Sequence, residues 1–216
     1  MYLKVHPANP QSRHIAHAVE VLQRGGVIIY PTDTVYGIGC SIHDTRAIER
    51  IYQIRNQDRT KPFSFICSDL SHIAEYAKVS NSAYRLMKQL IPGPYTFILP
   101  ASRMKQLSKS LISKRKTVGI RVPHNSICHE IVKGLGHPIL SASVTGDHKG
   151  DIIVDPELIK RQFEDRVDLI LDGGNSLNEF STVLDVTNEQ PIVVREGAGD
   201  VSDVLIQSSN EERLAS

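Results

Sequence analysis

Residues 27–39 read Val-Ile-Ile-Tyr-Pro-Thr-Asp-Thr-Val-Tyr-Gly-Ile-Gly, and here a short apolar run changes to a polar segment that contains two glycines. The run from Val27 to Tyr30 is rich in β-branched residues, which predicts a buried strand. Pro31 has no N–H to donate and is predicted to end that strand. The hydroxyls and carboxylate that follow, with Gly37 and Gly39, predict a loop at a strand end, where α/β sheets place their ligand crevice. The same residues also fit a capped turn between a strand and a helix, and the sequence leaves both interpretations open.

The composition is typical of one globular domain. Hydrophobic residues make up 40% and charged residues 23% of the 216 positions, as in ordinary globular proteins. No apolar run approaches the roughly 20 residues that span a bilayer, and the first residues lack the apolar core of a signal peptide. Cys40, Cys67 and Cys128 are odd in number and lack C-x-x-C spacing, which favours reduced thiols. We therefore expect a cytoplasmic protein with no membrane partner.

Charge is distributed unevenly, although the formal net charge is only +1. Residues 1–146 contain 19 Lys and Arg against 8 Asp and Glu, whereas residues 147–216 contain 6 against 16. The densest basic block, residues 103–121, contains seven Lys or Arg and no acid. Such a block predicts attraction to polyanions such as nucleotide phosphates or RNA, while each lysine taken singly also fits a solvated helix face.

Helical and strand-like segments alternate along the chain. Apolar periodicity and capping signals predict helices over residues 11–24, 44–55, 69–77, 82–90 and 125–134, another within 101–116, and one that begins at Asp155. Apolar or alternating runs predict strands over residues 27–30, 63–67, 95–99, 117–123, 138–144, 167–171, 181–186 and 192–195. This order predicts a single-domain α/β fold with a twisted, mixed, open sheet flanked by helices. The peptide geometry of the corner at Pro92–Pro94 is not fixed by the sequence.

Arginines and hydroxyls stand at the ends of these predicted elements. Arg121 lies on the strand face opposite the apolar residues, beside the small Gly119. Arg55 extends the apolar stripe of its helix, so it either snorkels to the rim or meets an anion in a cleft. Because guanidinium groups bind carboxylate and phosphate oxygens bidentately, the set predicts an anion site, although each arginine alone also fits a surface salt bridge. The set comprises Thr32, Arg55, Arg121, Ser143, Ser181 and Arg195.

Other kinds of chemistry have weaker support. The chain has neither a P-loop nor a G-x-G-x-x-G motif. His124 and His129 are five residues apart and do not share a helix face, which disfavours a metal pair. Ser141 and Ser143 lack the G-x-S-x-G elbow of a hydrolase nucleophile. Cys40 has no basic neighbour in sequence and is predicted to be a buried, inert thiol.

Several motifs together resemble the YrdC/YciO family. They are Tyr30-Pro-Thr-Asp-Thr-Val-Tyr-Gly-Ile-Gly39, Pro92-Gly-Pro-Tyr-Thr-Phe-Ile-Leu99, Val118-Gly-Ile-Arg-Val-Pro123, Ser181-Thr-Val183 and Val194-Arg-Glu-Gly197. The detailed sequence of these segments, together with the helix segment Tyr84-Arg-Leu-Met-Lys88, is most similar to the YciO branch. The resemblance implies a YrdC-like domain over residues 8–205, with a large concave basic surface, and a polar tail over residues 206–216 that we expect to be disordered.

The resemblance also implies an activity, the synthesis of threonylcarbamoyl-AMP and pyrophosphate from L-threonine, bicarbonate and ATP for threonylcarbamoyladenosine in tRNA. By position in the matching motifs, it implies that Thr32, Arg121 and Ser181 bind L-threonine. It implies that Arg55, Ser143 and Arg195 bind ATP, with Arg59 or Lys61 as further cations of the same loop. Mg²⁺ is expected to accompany the triphosphate, held by phosphate oxygens and water more than by protein ligands.

Two residue pairs depart from the pattern of the synthase branch. Synthases carry Lys-x-Arg and Ser-x-Asn pairs, where this chain has Arg55-x-Gln57 and Ser143-x-Thr145. Removing a charge stabiliser beside a triphosphate lowers rates by orders of magnitude. The sequence therefore leaves two functions open: a synthase, or a catalytically weak or inactive protein that binds nucleotide or double-stranded RNA.

Overall fold

One mixed sheet with helices on both faces organises the described part of the chain, which in this computed structural model comprises residues 1–56, 63–102, 116–146 and 151–202. Its strands are β1 (Tyr2–Lys4), β2 (Ile28–Tyr30), β3 (Gly37–Ser41), β4 (Ser64–Ile66), β5 (Tyr95–Pro100), β6 (Thr117–Arg121), β7 (Ile139–Ser143), β8 (Leu169–Asp172), β9 (Thr182–Asp185) and β10 (Ile192–Arg195). The helices are α1 (Ser12–Gln23), α2 (Thr45–Ile54), α3 (Leu70–Ala74), α4 (Asn81–Leu90), α5 (Ser126–Leu135) and α6 (Pro156–Phe163). The strand order is β1-β8-β2-β3-β7-β4-β6-β5-β9-β10. The predicted single-domain α/β fold with a mixed sheet is confirmed.

Separate apolar clusters cover the two faces of the sheet. On one face, α1 and α5 pack together over β2 and β8. On the other, buried residues of α2, α4 and α6 pack over the central strands. Successive residues of β2 belong to different clusters, Ile28 to the first and Ile29 to the second, as the alternation of a strand requires. The predicted periodicity of α1 is confirmed, because Ile15, Ala18 and Leu22 are all buried.

The prediction of a loop up to Gly39 was wrong, because β3 begins at Gly37 and pairs antiparallel with β2. The polar loop is therefore only residues 31–36. The two glycines serve packing, since the ring of Tyr30 lies over both of them. A Cβ atom at Gly39 would stand 2.6 Å from Cγ2 of Ile139 and 2.7 Å from the carbonyl oxygen of Leu140, so this position has no room for a side chain.

Strand β1 was not predicted either. It has only three residues, and its partner is β8, so that Tyr2 pairs with Ile170 far along the chain. The Tyr2 hydroxyl donates to an Asp172 carboxylate oxygen at 2.7 Å and helps to hold this strand at the edge of the sheet. The peptide bond between Ile91 and Pro92, in the corner before β5, is cis.

Polar residues lie side by side on the sheet face that carries Arg121. In the strand register, Ser64 stands opposite both Ser141 of β7 and Gly119 of β6. Arg121 follows Gly119 by two residues and so shares its face. Ser64 and Gly119 are partly exposed. The sheet therefore presents a hydroxyl-lined, partly open floor that leads to Arg121.

No helix among residues 1–56, 63–102, 116–146 and 151–202 is long and apolar enough to cross a membrane.

Candidate functional site

The loop of residues 31–36, here called the Thr32 loop, is held in shape by its own hydroxyls. Thr32 Oγ1 donates to the carbonyl oxygen of Val35 at 2.7 Å and accepts from the Thr34 backbone N–H at 3.0 Å. It also lies 3.2 Å from Thr34 Oγ1. Because the single proton of Thr32 is directed at Val35, Thr34 is the donor in this hydroxyl pair. The Thr32 hydroxyl is thus fully engaged, and a ligand that bonds to it must replace one of these partners.

Arg121 ties the loop to the end of β6. Its Nη2 atom donates to a carboxylate oxygen of Asp33, with which it forms an ion pair, and to Oγ1 of Thr34 at 2.9 Å. The other Asp33 oxygen accepts from the backbone N–H of His124 at 2.9 Å. Both side chains of the ion pair are nearly buried, Arg121 with 8% and Asp33 with 12% of the side chain exposed. The Nε atom of Arg121 is buried, and no hydrogen-bond partner is found for it within the described part of the chain, so its hydrogen remains to be donated to a ligand.

Ser181 and Arg195 form a second part of the site, next to β5. The Oγ atoms of Ser181 and Thr96 lie 2.9 Å apart. Arg195 donates to the Ser181 carbonyl oxygen from Nη2 at 2.7 Å and from Nε at 3.2 Å, and its guanidinium stands 5.1 Å from the ring centre of Phe180. These contacts hold the guanidinium in one orientation, and they already use donors on two of its three nitrogens.

The two parts meet because Thr96 of β5 pairs with Arg121 of β6 in the strand register. Burial, and secondarily the positive charge of Arg121, lower the pKa of Arg195 from its ordinary value. We call this set the Arg121 cluster; it consists of Asp33, Thr34, Thr96, Arg121, Ser181 and Arg195. The cluster contains three predicted site residues, Arg121, Ser181 and Arg195, and a fourth, Thr32, adjoins it through its contact with Thr34.

The other predicted residues lie less close to the cluster or outside the described ranges. Ser143 ends β7, stands opposite Gly37 at the exit of the Thr32 loop, and is partly exposed. Arg55 follows α2, and no hydrogen bond to the cluster is found for it among the described residues. The described residues offer no hydrogen-bond partner to the buried Nε atom of Arg55, and burial lowers the pKa of this arginine. Arg59 and Lys61 lie outside the described residues, as does Gln57.

Sequence reasoning missed four residues of the site. Asp33 and Thr34 are in the quoted motif but had no assigned role, because their partner Arg121 is distant in sequence. Thr96 carried a signal, since it is the polar residue between the apolar Tyr95 and Phe97 of β5. The hydroxyl of Tyr30, read only as part of a buried strand, donates to Ser141 Oγ at 2.6 Å across the floor.

The structure changes the expectation for the basic block at Arg121 and confirms the one for Cys40. Arg121 cannot belong to an exposed basic block, because it is buried in its ion pair; Arg103–Arg115 and the helix predicted there lie outside the described residues. Cys40 is a buried thiol, as predicted, and burial raises its pKa. Among the described residues, no group of three or more His, Cys, Asp or Glu could hold a metal ion.

A cleft of about 630 Å³ lies beside the loops that follow β4 and β6, and it includes none of the predicted site residues. Its wall contains His124, whose backbone contacts Asp33. Two of its polar residues are engaged elsewhere, since Asp69 caps α3 and Asn125 caps α5. The Arg121 cluster, with its buried and unpartnered guanidinium nitrogen, is the better candidate site.

The described part of the chain thus defines an α/β protein in which arginines and hydroxyls from distant parts of the sequence meet in the Arg121 cluster, the candidate site. A family model for Sua5, YciO and YrdC proteins, described as "Telomere recombination", matches residues 20–197, and the chain belongs to this family.

Comparisons with individual proteins agree with this membership. The chain is 45% identical to YciO of Escherichia coli strain K12, over 94% of this chain and 98% of that protein, and the crystal structure of E. coli YciO superposes with a TM-score of 0.88. It is 29% identical to the threonylcarbamoyl-AMP synthase of Bacillus subtilis, over 85% of this chain and 53% of that protein. The crystal structure of Pyrococcus abyssi Sua5 complexed with L-threonine shares the fold, with a TM-score of 0.87 at 24% identity, over 94% of this chain and 59% of that one.

Proposed function

We propose that the protein is a threonylcarbamoyl-AMP synthase-like nucleotidyltransferase. L-threonine, bicarbonate and ATP would give threonylcarbamoyl-AMP, pyrophosphate and water, and the product would serve threonylcarbamoyladenosine formation in tRNA. The observation that carries the proposal is the Arg121 cluster, in which the unpartnered Nε of Arg121 is buried beside hydroxyls. Family membership adds support, because a relative named threonylcarbamoyl-AMP synthase is 29% identical over 85% of this chain and one Sua5 crystal structure contains L-threonine.

L-threonine would bind at the Arg121 cluster. Its carboxylate would accept from the free Nε of Arg121, which otherwise remains a buried donor without a partner. Ser181 and Thr96 share a single hydrogen bond between two hydroxyls, so one hydroxyl proton of this pair is available to the ligand. Thr32 would bind the ligand by exchanging one of its bonds within the loop.

ATP would bind along the polar floor. Arg195 would use its remaining nitrogen, Nη1, for a phosphate oxygen, and Arg55 has a buried Nε for which the described residues provide no acceptor. Ser143, partly exposed at the end of β7, would donate its hydroxyl, and Arg59 and Lys61 remain candidate cations. Mg²⁺ would arrive with the triphosphate, since the carboxylate of the Arg121 cluster, Asp33, is already engaged by Arg121 and His124.

The chain's part in the reaction is to hold three reactants in line and to neutralise developing charge. The threonine amine adds to the carbon of bicarbonate, and loss of water leaves a carbamate. A carbamate oxygen then attacks the α-phosphorus of ATP, and the bond from that phosphorus to the bridging oxygen breaks to release pyrophosphate. Arginines stabilise the charge on the leaving pyrophosphate, and exclusion of water protects both the carbamate and the anhydride from hydrolysis.

The alternative, a nucleotide- or RNA-binding protein without turnover, has less support. Arg121, one end of the basic block that suggested RNA, is buried in an ion pair and is unavailable to a polyanion at the surface. The departures at Gln57 and Thr145 bear on rate rather than on binding, so we propose a synthase that turns over slowly.

An assay with labelled L-threonine tests the proposal. The purified protein is incubated with ATP, Mg²⁺, bicarbonate and threonine, and both pyrophosphate and the adduct are followed. We expect pyrophosphate release that requires threonine and bicarbonate, and its loss in Arg121→Ala. Arg50→Ala is the matched control, because Arg50 also pairs with an aspartate, Asp168, but on another part of the fold. Absence of adduct and of threonine-dependent pyrophosphate in the wild-type protein would overturn the proposal, even if the protein binds threonine.

A further inference from the structure

The hydroxyl of Tyr30 is directed at a single side chain of the sheet floor. Tyr30 is completely buried, and its hydroxyl lies 2.6 Å from Oγ of Ser141. Burial raises the pKa of Tyr30, so the hydroxyl keeps its proton. No other acceptor is found for this proton among the described residues, and a buried tyrosine proton without an acceptor is costly. Tyr30 is therefore the donor in this pair and Ser141 the acceptor.

The bond from Tyr30 leaves the proton of Ser141 for another partner. A serine hydroxyl has one proton and two lone pairs, and Tyr30 occupies a lone pair. Within the described ranges, no acceptor is found for the Ser141 proton. Gly37 makes room for this arrangement, because a Cβ atom there would stand 3.0 Å from Cζ of Tyr30 and 3.1 Å from Ser141 Oγ. The fold thus holds Ser141 as a hydroxyl whose proton remains for a ligand.

Ser141 lies between the regions to which the proposed function assigns ATP and L-threonine. It precedes Ser143, a proposed ligand of ATP, by two residues on the same face of β7, which is about 7 Å along the strand. On its other side it stands opposite Ser64, which in turn stands opposite Gly119, two residues before Arg121. Bicarbonate, the third reactant, must lie between the other two, because it becomes bonded to the threonine nitrogen and to the α-phosphorus.

We propose that the Ser141 hydroxyl is the donor that binds bicarbonate, and then the carbamate formed from it, and that Tyr30 is the residue that positions this donor. The inference rests on the proposed function. The threonine amine adds to the bicarbonate carbon and water leaves; a carbamate oxygen then attacks the α-phosphorus as pyrophosphate departs. Ser141 keeps its proton throughout. It holds one anionic oxygen, so that the carbon stays within reach of the amine and a second oxygen within reach of the phosphorus.

Three variants test the inference, and two controls match them. The variants are Ser141→Ala, Tyr30→Phe and their combination. Ser41→Ala is the control for the serine, because Ser41 is as deeply buried but ends β3 on the side away from Gly37. Tyr2→Phe is the control for the tyrosine, because its hydroxyl likewise donates to a side chain, at 2.7 Å, but at the edge of the sheet.

The experiment measures the KM values for bicarbonate, threonine and ATP in threonine-dependent pyrophosphate release, in buffer freed of dissolved carbon dioxide. Ser141→Ala should raise the KM for bicarbonate about tenfold or more, because a hydrogen bond to a charged ligand is lost, and should leave the other two within about twofold. Tyr30→Phe should raise the same KM by a smaller factor, since Ser141 remains but is no longer directed. In the double variant the loss of the Tyr30 hydroxyl should add nothing to the effect of Ser141→Ala. Both controls should match the wild type.

An unchanged KM for bicarbonate in Ser141→Ala, or an equal rise in all three KM values, would overturn the inference. Additive effects in the double variant would refute the positioning role of Tyr30. If the wild type releases no threonine-dependent pyrophosphate, the proposed function fails, and NMR line broadening of isotope-labelled bicarbonate decides the site. Broadening by the wild type that Ser141→Ala abolishes would support the site, and any other pattern would overturn it. If Tyr30→Phe does not fold, Ser141→Ala alone decides.

Discussion

The Nη2 atom of Arg121 lies 2.9 Å from Oγ1 of Thr34, although 87 residues separate them in sequence. Thr34 is completely buried, and the Thr34 hydroxyl in turn donates to Thr32. One arginine at the end of β6 therefore sets the shape of the Thr32 loop, which lies between β2 and β3. Ligand binding at this arginine and the conformation of the loop are coupled through the Thr34 hydroxyl and the Asp33 carboxylate.

Replacing Thr34 with valine should weaken threonine binding. The valine keeps the volume but removes both the acceptor for Arg121 and the donor to Thr32, so the guanidinium loses one of its two fixed partners. We expect the dissociation constant for threonine to rise about tenfold, because a hydrogen bond to a charged group is lost. Calorimetry provides the measurement, and Thr34→Ser, which retains the hydroxyl, should stay within about twofold of the wild type. Equal weakening in both variants would contradict the role given to the hydroxyl, because Thr34→Ser retains it.

Gly39→Ala should destabilise the fold, whereas Gly119→Ala should not. A Cβ atom at Gly39 would stand 2.7 Å from the carbonyl oxygen of Leu140, which belongs to the backbone and cannot move aside. At Gly119 the nearest atom is the Ser64 hydroxyl oxygen, 3.1 Å away, which can rotate. We expect Gly39→Ala to lower the free energy of unfolding by about 1–3 kcal/mol in urea titrations. A Gly39→Ala protein as stable as Gly119→Ala would refute the packing role given to Gly39.

The elements that the sequence predicted correctly have a periodic side-chain pattern of their own. Helix α1 is an example, since Ile15 and Leu22 lie one above the other on its buried stripe. Strand β3 has no such pattern, because Gly37 and Gly39 carry no side chains to alternate. It exists because β2 and β7 offer hydrogen bonds on its two sides, and that information is spread over residues far apart in sequence.

In the candidate site, too, local patterns were predictive and long-range contacts were not. Arg121 was found because alternation within β6 isolates it on the polar face. The role of Asp33, which is to hold Arg121 in an ion pair, was not predicted. It depends on the positions of Arg121 and of the His124 backbone, and neither residue is near Asp33 in sequence. Residue types that bind anions can thus be listed from sequence, whereas the residues that orient them require the fold.

The three cysteines should be unreactive in the folded protein. Cys40, Cys67 and Cys128 are buried, and burial raises the pKa of each thiol. Iodoacetamide at pH 8 should modify none of them until urea unfolds the chain, as mass spectrometry can determine. Rapid labelling of native protein would contradict their burial.

The same thiols predict loss of stability at alkaline pH. Their unfolded-state pKa is about 8.5, so above that pH the unfolded chain releases protons that the folded chain retains. Stability is therefore complete below about pH 8.5 and falls above it, by up to about 1.4 kcal/mol per pH unit for each thiol. Urea titrations between pH 8 and 10 provide the measurement. Cys40→Ala should reduce the slope by one thiol's share, and an unchanged slope would contradict this origin.

Restoring the synthase residues should accelerate turnover if the departures limit the rate. Gln57→Arg adds a cation in the segment of residues 57–62, which lies outside the described part of the chain, and Thr145→Asn adds an amide two residues after Ser143. Because charge beside a reacting triphosphate contributes orders of magnitude to rate, we expect kcat for threonine-dependent pyrophosphate release to rise about tenfold or more in the double variant. The threonine dissociation constant should change little, since neither residue belongs to the Arg121 cluster. Lys133→Arg, a conservative change at an exposed position of α5, is the control. A double variant with tighter ATP binding but no gain in kcat would place the limitation elsewhere, because a catalytic cation must stabilise the transition state more than the bound substrate.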